Sequence, residues 1–220
     1  MKKIKDLGLI LAVLFMGLTL VACGDTSADG ENNDSAEYNE NQESGSGEFA
    51  MQRGEWDGDT FTNTYSGISF ELPAGFTVFS DDMLGATMDL GMEMQDLSDT
   101  EREIAELALD SFMVIDTVAS NLMETITITY STDIVLLGVS DLESYLLSQV
   151  EIREESFDVE ATYELSTQTI GGEAFNALLL EYDWMGGVYR EMMLIRQEGS
   201  HLINISIVSE NPEELLAIFN

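Results

Sequence analysis

Cys23 is the only thiol in this chain of 220 residues, and it closes Leu20-Val21-Ala22-Cys23 at the end of an apolar run. The chemistry open to it there is modification of the sulfur once the residues before it have been cut away. With that one cysteine spent, no disulfide, thiol nucleophile or thiolate metal site can be built. The remaining inventory is equally narrow. All three lysines, Lys2, Lys3 and Lys5, precede Cys23, so nothing after it can supply a P-loop lysine, a Schiff base or a Ser-Lys dyad. His201 is the single histidine and hence the only imidazole base, with no Gly-x-Ser-x-Gly elbow to serve. It opens an apolar run whose same-face neighbours are Ile203, Ile205 and Ile207, which favours a structural histidine at the end of a strand. These patterns assign no catalytic residue and call for no cofactor.

Carboxylates are too numerous to be diagnostic, since the chain holds 42 Asp and Glu. A glycosidase-type pair is recognised by its separation in space, so a carboxylate-dependent hydrolase, with or without His201, stands as the alternative to a binding role. A second alternative is metal binding. Asp29, Glu31, Asn33 and Glu40 match the acidic positions of a calcium loop, but Asp34 stands where the sharp turn needs glycine. Asp57-x-Asp59 and Asp81-Asp82 could also hold calcium, although paired acids at a helix start are explained more simply by the helix dipole. Met83, Met88, Met92 and Met94 form a thioether patch of a kind that suits Cu(I). Methionines also fill irregular cores and adaptable partner grooves. No metal site is assigned to any of these groups.

The segment before Cys23 has the three parts of an export leader: a positive start at Lys2, Lys3 and Lys5, an apolar stretch from Leu7 to Val21, and small Ala22 before the cut. A spanning helix needs about 20 apolar residues; this run is shorter and stops at Cys23-Gly24-Asp25. Leader and cysteine together resemble the signal of bacterial lipoproteins. That resemblance implies a thioether-linked diacylglycerol on Cys23, often with a further acyl chain on the new amino terminus, and a location on the extracytoplasmic face of the cell membrane. Two or more chains are what stable anchoring requires.

Cleavage before Cys23 removes all 3 lysines of the 8 basic residues and 1 of the 42 acids, leaving 5 arginines against 41 carboxylates and a formal charge of −36. Such a surface repels nucleic acid and anionic headgroups and attracts cations or basic partners. Nucleic-acid binding is excluded on this ground. The expected partner, apart from the membrane, is a protein or a cationic ligand.

Three regions must position these groups. Residues 1–22 are the signal peptide. Residues 23–52 begin at the lipidated cysteine and carry eight carboxylates, no basic residue and few apolar ones, the composition of a disordered acidic tether, extended by its own charge beyond the ~5–6 Å times √n of a Gly/Ser coil. Residues 53–220 form the folded domain, which without disulfides must bury a sizeable core.

Alternation predicts strands over Thr60–Tyr65, Ile68–Leu72 and Phe76–Phe79, in tight hairpins about Pro73-Ala74-Gly75. Ser80 with Asp81 and Asp82 starts a short helix through Met94, against which Gly85 and Gly91 work. Ser98 with Glu101 is a capping box for a helix carrying Ile104, Leu107 and Ala108. Strands follow at Ser111–Val118 and Thr125–Tyr130. Ser140 with Glu143 caps a helix whose Leu142, Tyr145, Leu146 and Val150 share one face. Ala161–Ile170, Ala174–Trp184, Val188–Gln197 and His201–Ser209 form a four-strand antiparallel meander. Its Gly186-Gly187 turn is expected to place Asp183 opposite Arg190 and Leu180 opposite Met193. Asn211 and Pro212 open a closing helix with Leu215, Leu216 and Phe219 inward. With no βαβ repetition, the class is α+β, an antiparallel sheet covered by helices.

Asn63-Thr64-Tyr65-Ser66-Gly67-Ile68-Ser69-Phe70-Glu71-Leu72-Pro73-Ala74-Gly75-Phe76 resembles the opening of lipoproteins from Gram-positive bacteria. There an Asn-x-Tyr, a Gly-Ile/Phe-x-Phe and a Leu-Pro-x-Gly-Trp follow in this order, and Phe76 stands here in place of the tryptophan. The likeness runs from about Phe61 to Phe219. It implies the α/β/α sandwich of PsbP-like proteins, a fold used mainly for binding or assembly, and hence a non-enzymatic binding or scaffold module.

Overall fold

The computed structural model describes residues 53–94, 113–121, 123–132, 141–184 and 186–219, with backbone alone over 88–94. The leader, Cys23, the tether with its calcium-like spacing, the helix expected after Ser98, and the side chains of Met88, Met92 and Met94 lie outside the described residues.

Two antiparallel sheets form, with Glu55–Asp57 added to the predicted runs and no hairpin at Pro73-Ala74-Gly75, whose flanking strands fall in different sheets. The smaller has the order β1 (Glu55–Asp57), β2 (Thr60–Asn63), β3 (Ile68–Glu71). Its first turn uses Gly58 at φ 59°, a conformation open to glycine without penalty. Alternation along β2 and β3 turns Phe61, Asn63, Ile68 and Phe70 inward. The larger sheet contains β4 (Thr77–Val78), β5 (Met113–Ser120), β6 (Thr125–Thr132), β7 (Ala161–Ile170), β8 (Glu173–Trp184), β9 (Gly187–Glu198) and β10 (His201–Val208), in the spatial order β4-β5-β6-β10-β9-β8-β7. The helices are α1 (Asp81–Met94), α2 (Leu142–Phe157) and α3 (Pro212–Leu216).

The meander of the last four strands is present, with β7 through β10 paired in sequence. Its central register differs from expectation. Trp184 faces Gly187 and Glu181 faces Arg190, so Leu180 lies opposite Glu191 and Asp183 opposite Val188. Gly187 belongs to the strand, and Gly186, at φ 85°, takes the turn conformation. The slip is two residues, which leaves every side chain on its expected face. The cap of α2 also moves by one position: Asp141, not Ser140, accepts from the amide of Ser144 at 2.8 Å.

The two longer helices, α1 and α2, lie on one face of the large sheet. On that face α2 packs Leu146 and Val150 over Leu178, Leu180, Tyr182, Met193, Ile195 and Leu202, and α1 sets Leu84 on Ile115 and Val118. The opposite face, with Ile203, Ile205 and Ile207 at its centre, is covered by the small sheet through Phe61, Ile68 and Phe70 and by Leu215 and Phe219 at the chain end. On that side the N-terminal hairpins and the short α3 share the cover. No helix among the described residues is long and apolar enough to cross a membrane.

Candidate functional site

Each face of the large sheet buries one polar centre. On the small-sheet side it is Asp116, at the register shift that interrupts β5 between Ile115 and Thr117. There Asp116 and Thr117 both turn toward the small sheet, between Ile115 and Val118 on the other face. Its Oδ1 accepts from the Gly54 amide at 2.6 Å, and Oδ2 accepts from Asn63 Nδ2 at 2.8 Å and from the Tyr130 hydroxyl at 2.6 Å. Asn63 Oδ1 in turn accepts from the amides of Tyr65 and Ser66, an Asx turn. Burial, and then the Asp116 carboxylate, push the Tyr130 phenol far above its ordinary range, so it remains a proton donor. Arg196 donates from Nη2 to the Ser66 carbonyl at 2.9 Å and lies over the Phe175 ring at 5.1 Å.

His201 starts β10 beside this centre. It faces Glu198 and Thr132 across the sheet, and its Nδ1 lies 3.4 Å from the Tyr65 hydroxyl. Ile203, Ile205 and Ile207 continue its face into the core, as the sequence predicts. Asp116 and Tyr130 are committed to each other and to the small sheet.

On the helix side, Arg153 of α2 meets Glu191 of β9 with side chains 1% and 4% exposed. The guanidinium donates to both carboxylate oxygens at 3.0–3.2 Å, a fork matching both oxygens. Ser206 Oγ donates to Oε1 at 2.8 Å, and Arg153 also reaches Gln149 Oε1. Burial opposes the Arg153 charge, but Glu191 outweighs it and holds the group above its ordinary pKa. Burial raises the phenols of Tyr145 and Tyr182 beside the pair. The side chains of Thr127 and Asn204 leave Oγ1 and Oδ1, respectively, buried without a partner among the described residues.

The acids singled out by spacing are not brought together. Asp57 and Asp59 flank the Gly58 turn on the surface. Asp81 Oδ1 accepts from Arg53 Nη1 at 2.9 Å, and Arg53 also donates to the Ile115 carbonyl. Asp82 is exposed beside it, and Met83 is 41% exposed. Among the described residues no group of three His, Cys, Asp or Glu is placed to share a metal ion. Sequence reasoning missed Asp116, Arg153 and Glu191. A signal was available: Asp116 follows Met113-Val114-Ile115, Glu191 precedes Met192-Met193-Leu194-Ile195, and Arg153 is the sole base between Arg102 and Arg190. A charge set in an apolar run needs a partner.

The third feature is the outer strand β7. It pairs with β8 over all ten residues without a bulge, and no strand lies beyond it among the described residues. The opposite edge, β4, has two residues. Beside β7 a groove of about 250 Å³ is lined by Leu165, Ser166 and Thr167 of β7, Asn176 and Ala177 of β8, and Glu143 and Leu146 of α2.

No family model matches the chain, and no curated protein matches its sequence. Among solved structures the chain is similar to the cyanobacterial PsbP of Synechocystis sp. PCC 6803, with 11% identity, 80% of this chain and 91% of the other covered, and a TM-score of 0.41. It is also similar to LpqN of Mycobacterium tuberculosis, a protein involved in cell envelope biogenesis, at 8% identity, 69% and 75% coverage and a TM-score of 0.31. A protein of unknown function from Pseudomonas aeruginosa aligns at 18% identity over 42% of this chain and 66% of its own, with a TM-score of 0.28.

Proposed function

We propose that this chain is a lipid-anchored, non-enzymatic binding or scaffold module of the PsbP-like lipoprotein kind, standing on the outer face of the cytoplasmic membrane at the end of an acidic tether. The observation that carries the proposal is Cys23, alone in the sequence and placed directly after an export leader with small Ala22 before the cut. A diacylglycerol on its sulfur and a further acyl chain on its amine would supply the two hydrophobic attachments of a stable anchor. A binding role is favoured by where the polar chemistry goes. Asp116, Arg153 and Glu191 are each engaged by several neighbours across a packing seam, and groups held this way stabilise an architecture. What the folded part offers outward is an acidic surface and a long sheet edge.

The test is fractionation with metabolic labelling. The full chain is expected in the membrane fraction carrying radiolabelled palmitate, and Cys23→Ser is expected to be unlabelled and released. Crosslinking of the lipidated chain in its native membrane should recover one recurrent envelope protein that Cys23→Ser does not. A Cys23→Ser chain that stays in the membrane would refute the anchor, and recovery no different from that control would refute the module.

A further inference from the structure

The geometry points to the outer edge of β7 as a docking strand for a basic, extended segment of a partner protein, which adds to the large sheet and seats a lysine or arginine in the groove beside Glu143. This deepens the binding role proposed for the chain, because it names the surface and the chemistry of its partner.

A sheet edge presents a row of backbone donors and acceptors, and proteins that must keep it unpaired blunt it with lysine, proline, a bulge or shortness. β4 at the other edge is blunted by its two-residue length. β7 has none of these devices. Its sequence, Ala161-Thr162-Tyr163-Glu164-Leu165-Ser166-Thr167-Gln168-Thr169-Ile170, contains no proline or lysine; its pairing with β8 is unbroken; and most of its side chains are exposed, Tyr163 at 53%. Strand addition gains affinity from main-chain hydrogen bonds and specificity from pockets that accept alternate side chains. The groove of about 250 Å³ is such a pocket, opening directly on Leu165, Ser166 and Thr167.

Charge selects the occupant. Glu143 lines the groove, Glu160 precedes the strand and Glu164 lies on it, all exposed, while neither β7 nor β8 contains a basic residue. A long cationic side chain can lay its methylenes along the half-buried Leu165 and bring its charge to Glu143. A second copy of the chain would bring a formal charge of −36 against this edge, and residues 24–52 would bring eight carboxylates and no base. Both are repelled where a basic strand is attracted.

The experiment uses the chain from residue 23 onward with Cys23→Ser and three synthetic decapeptides: alternating Lys and Thr, alternating Glu and Thr, and alternating Lys and Pro. Proline keeps the charge, takes away every second amide and fixes φ at about −65°, which holds the peptide in the polyproline conformation and away from strand pairing. The Lys/Thr peptide is expected to bind at least tenfold more tightly than either control and to slow amide exchange by at least tenfold within residues 162–169. The double variant Glu143→Lys with Glu164→Lys, both at exposed positions, should lose that binding while its urea midpoint stays in place. Equal binding of the Lys/Pro peptide would reduce the effect to charge alone and overturn the proposal, as would protection mapping elsewhere or no binding at millimolar peptide. Protection, without peptide, of the β7 amides that point away from β8 would assign the edge to the chain's own tether, and protection of those amides rising with protein concentration would assign it to a second copy; either result also overturns it. If the peptides fail while crosslinking still recovers an envelope protein that Cys23→Ser does not, only the edge assignment falls and the module stands.

Discussion

Asn63 and Asp116 join the two sheets through one short contact, Asn63 Nδ2 donating to Asp116 Oδ2 at 2.8 Å, while the other end of the same amide ties down the turn at Tyr65 and Ser66. The Asn-x-Tyr element of the lipoprotein-like opening is therefore a fastening between layers. Asp116→Ala would take away the acceptor shared by the Gly54 amide, the Asn63 amide and the Tyr130 hydroxyl, the last keeping Ser66 Oγ at 3.3 Å. Each buried donor left unmet costs ~1–3 kcal/mol, so we expect a loss of about 3 kcal/mol in urea unfolding, and a loss under about 1 kcal/mol would mean water replaces the carboxylate.

Arg153 and Glu191 should behave as a pair. Removing one partner leaves a buried charge alone, so Arg153→Met and Glu191→Met are each expected to cost ~3–5 kcal/mol, whereas the two together should recover most of that loss. A double-mutant cycle measures the coupling. Additive losses would refute it.

Thr127 Oγ1 is buried without a partner among the described residues. Thr127→Val keeps the shape and removes the orphan hydroxyl, so thermal unfolding should shift upward, by about 1 kcal/mol at most. A clear destabilisation would reveal a water or ligand bonded there.

The turn between β8 and β9 distinguishes two adjacent glycines. Gly186 has φ 85°, while Gly187 is in the strand, where an added Cβ would come no nearer than 4.0 Å to the Trp184 carbonyl oxygen. Gly186→Ala is expected to cost ~1–2 kcal/mol, and Gly187→Ala to be close to neutral. Equal costs would favour the register centred on both glycines.

Alkali should unfold the domain in a defined window. Tyr130, Tyr145 and Tyr182 have phenol pKa values raised in the folded state, mainly by burial. A raised pKa means that the folded chain holds these protons more tightly than the unfolded chain, so the stability they contribute is fully present below the unfolded phenol value of about 10 and is lost as pH climbs above it. Absorbance at the phenolate band and far-ultraviolet circular dichroism, recorded over the same pH series, should therefore change together for these three residues. Phenolate from all seven tyrosines appearing before any loss of structure would refute it.

Local pattern made most of the elements legible. Alternation marked the strands, Gly171-Gly172 and Glu198-Gly199-Ser200 marked the hairpins, and the spacing of Leu142, Tyr145, Leu146 and Val150 marked the long helix, because each signal lies within a few residues of chain. The two-residue slip at Gly186 was not legible, since both registers keep the same faces buried and differ only in which glycine takes a positive φ.

The candidate groups divide in the same way. Cys23, the lack of lysine after it and the strongly acidic balance are properties of the sequence by itself, and the proposed anchor and the proposed basic partner start from them, because charge and covalent chemistry do not depend on how the chain folds. That Asp116 fastens two sheets, that Arg153 meets Glu191 beneath a helix, and that β7 ends the sheet beside a groove with Glu143 on its rim were decided only by the tertiary structure. The first two of those relationships join residues 38 to 62 positions apart, and only the packing of one layer on another sets which of the many acids in this chain find a partner and which are left facing water.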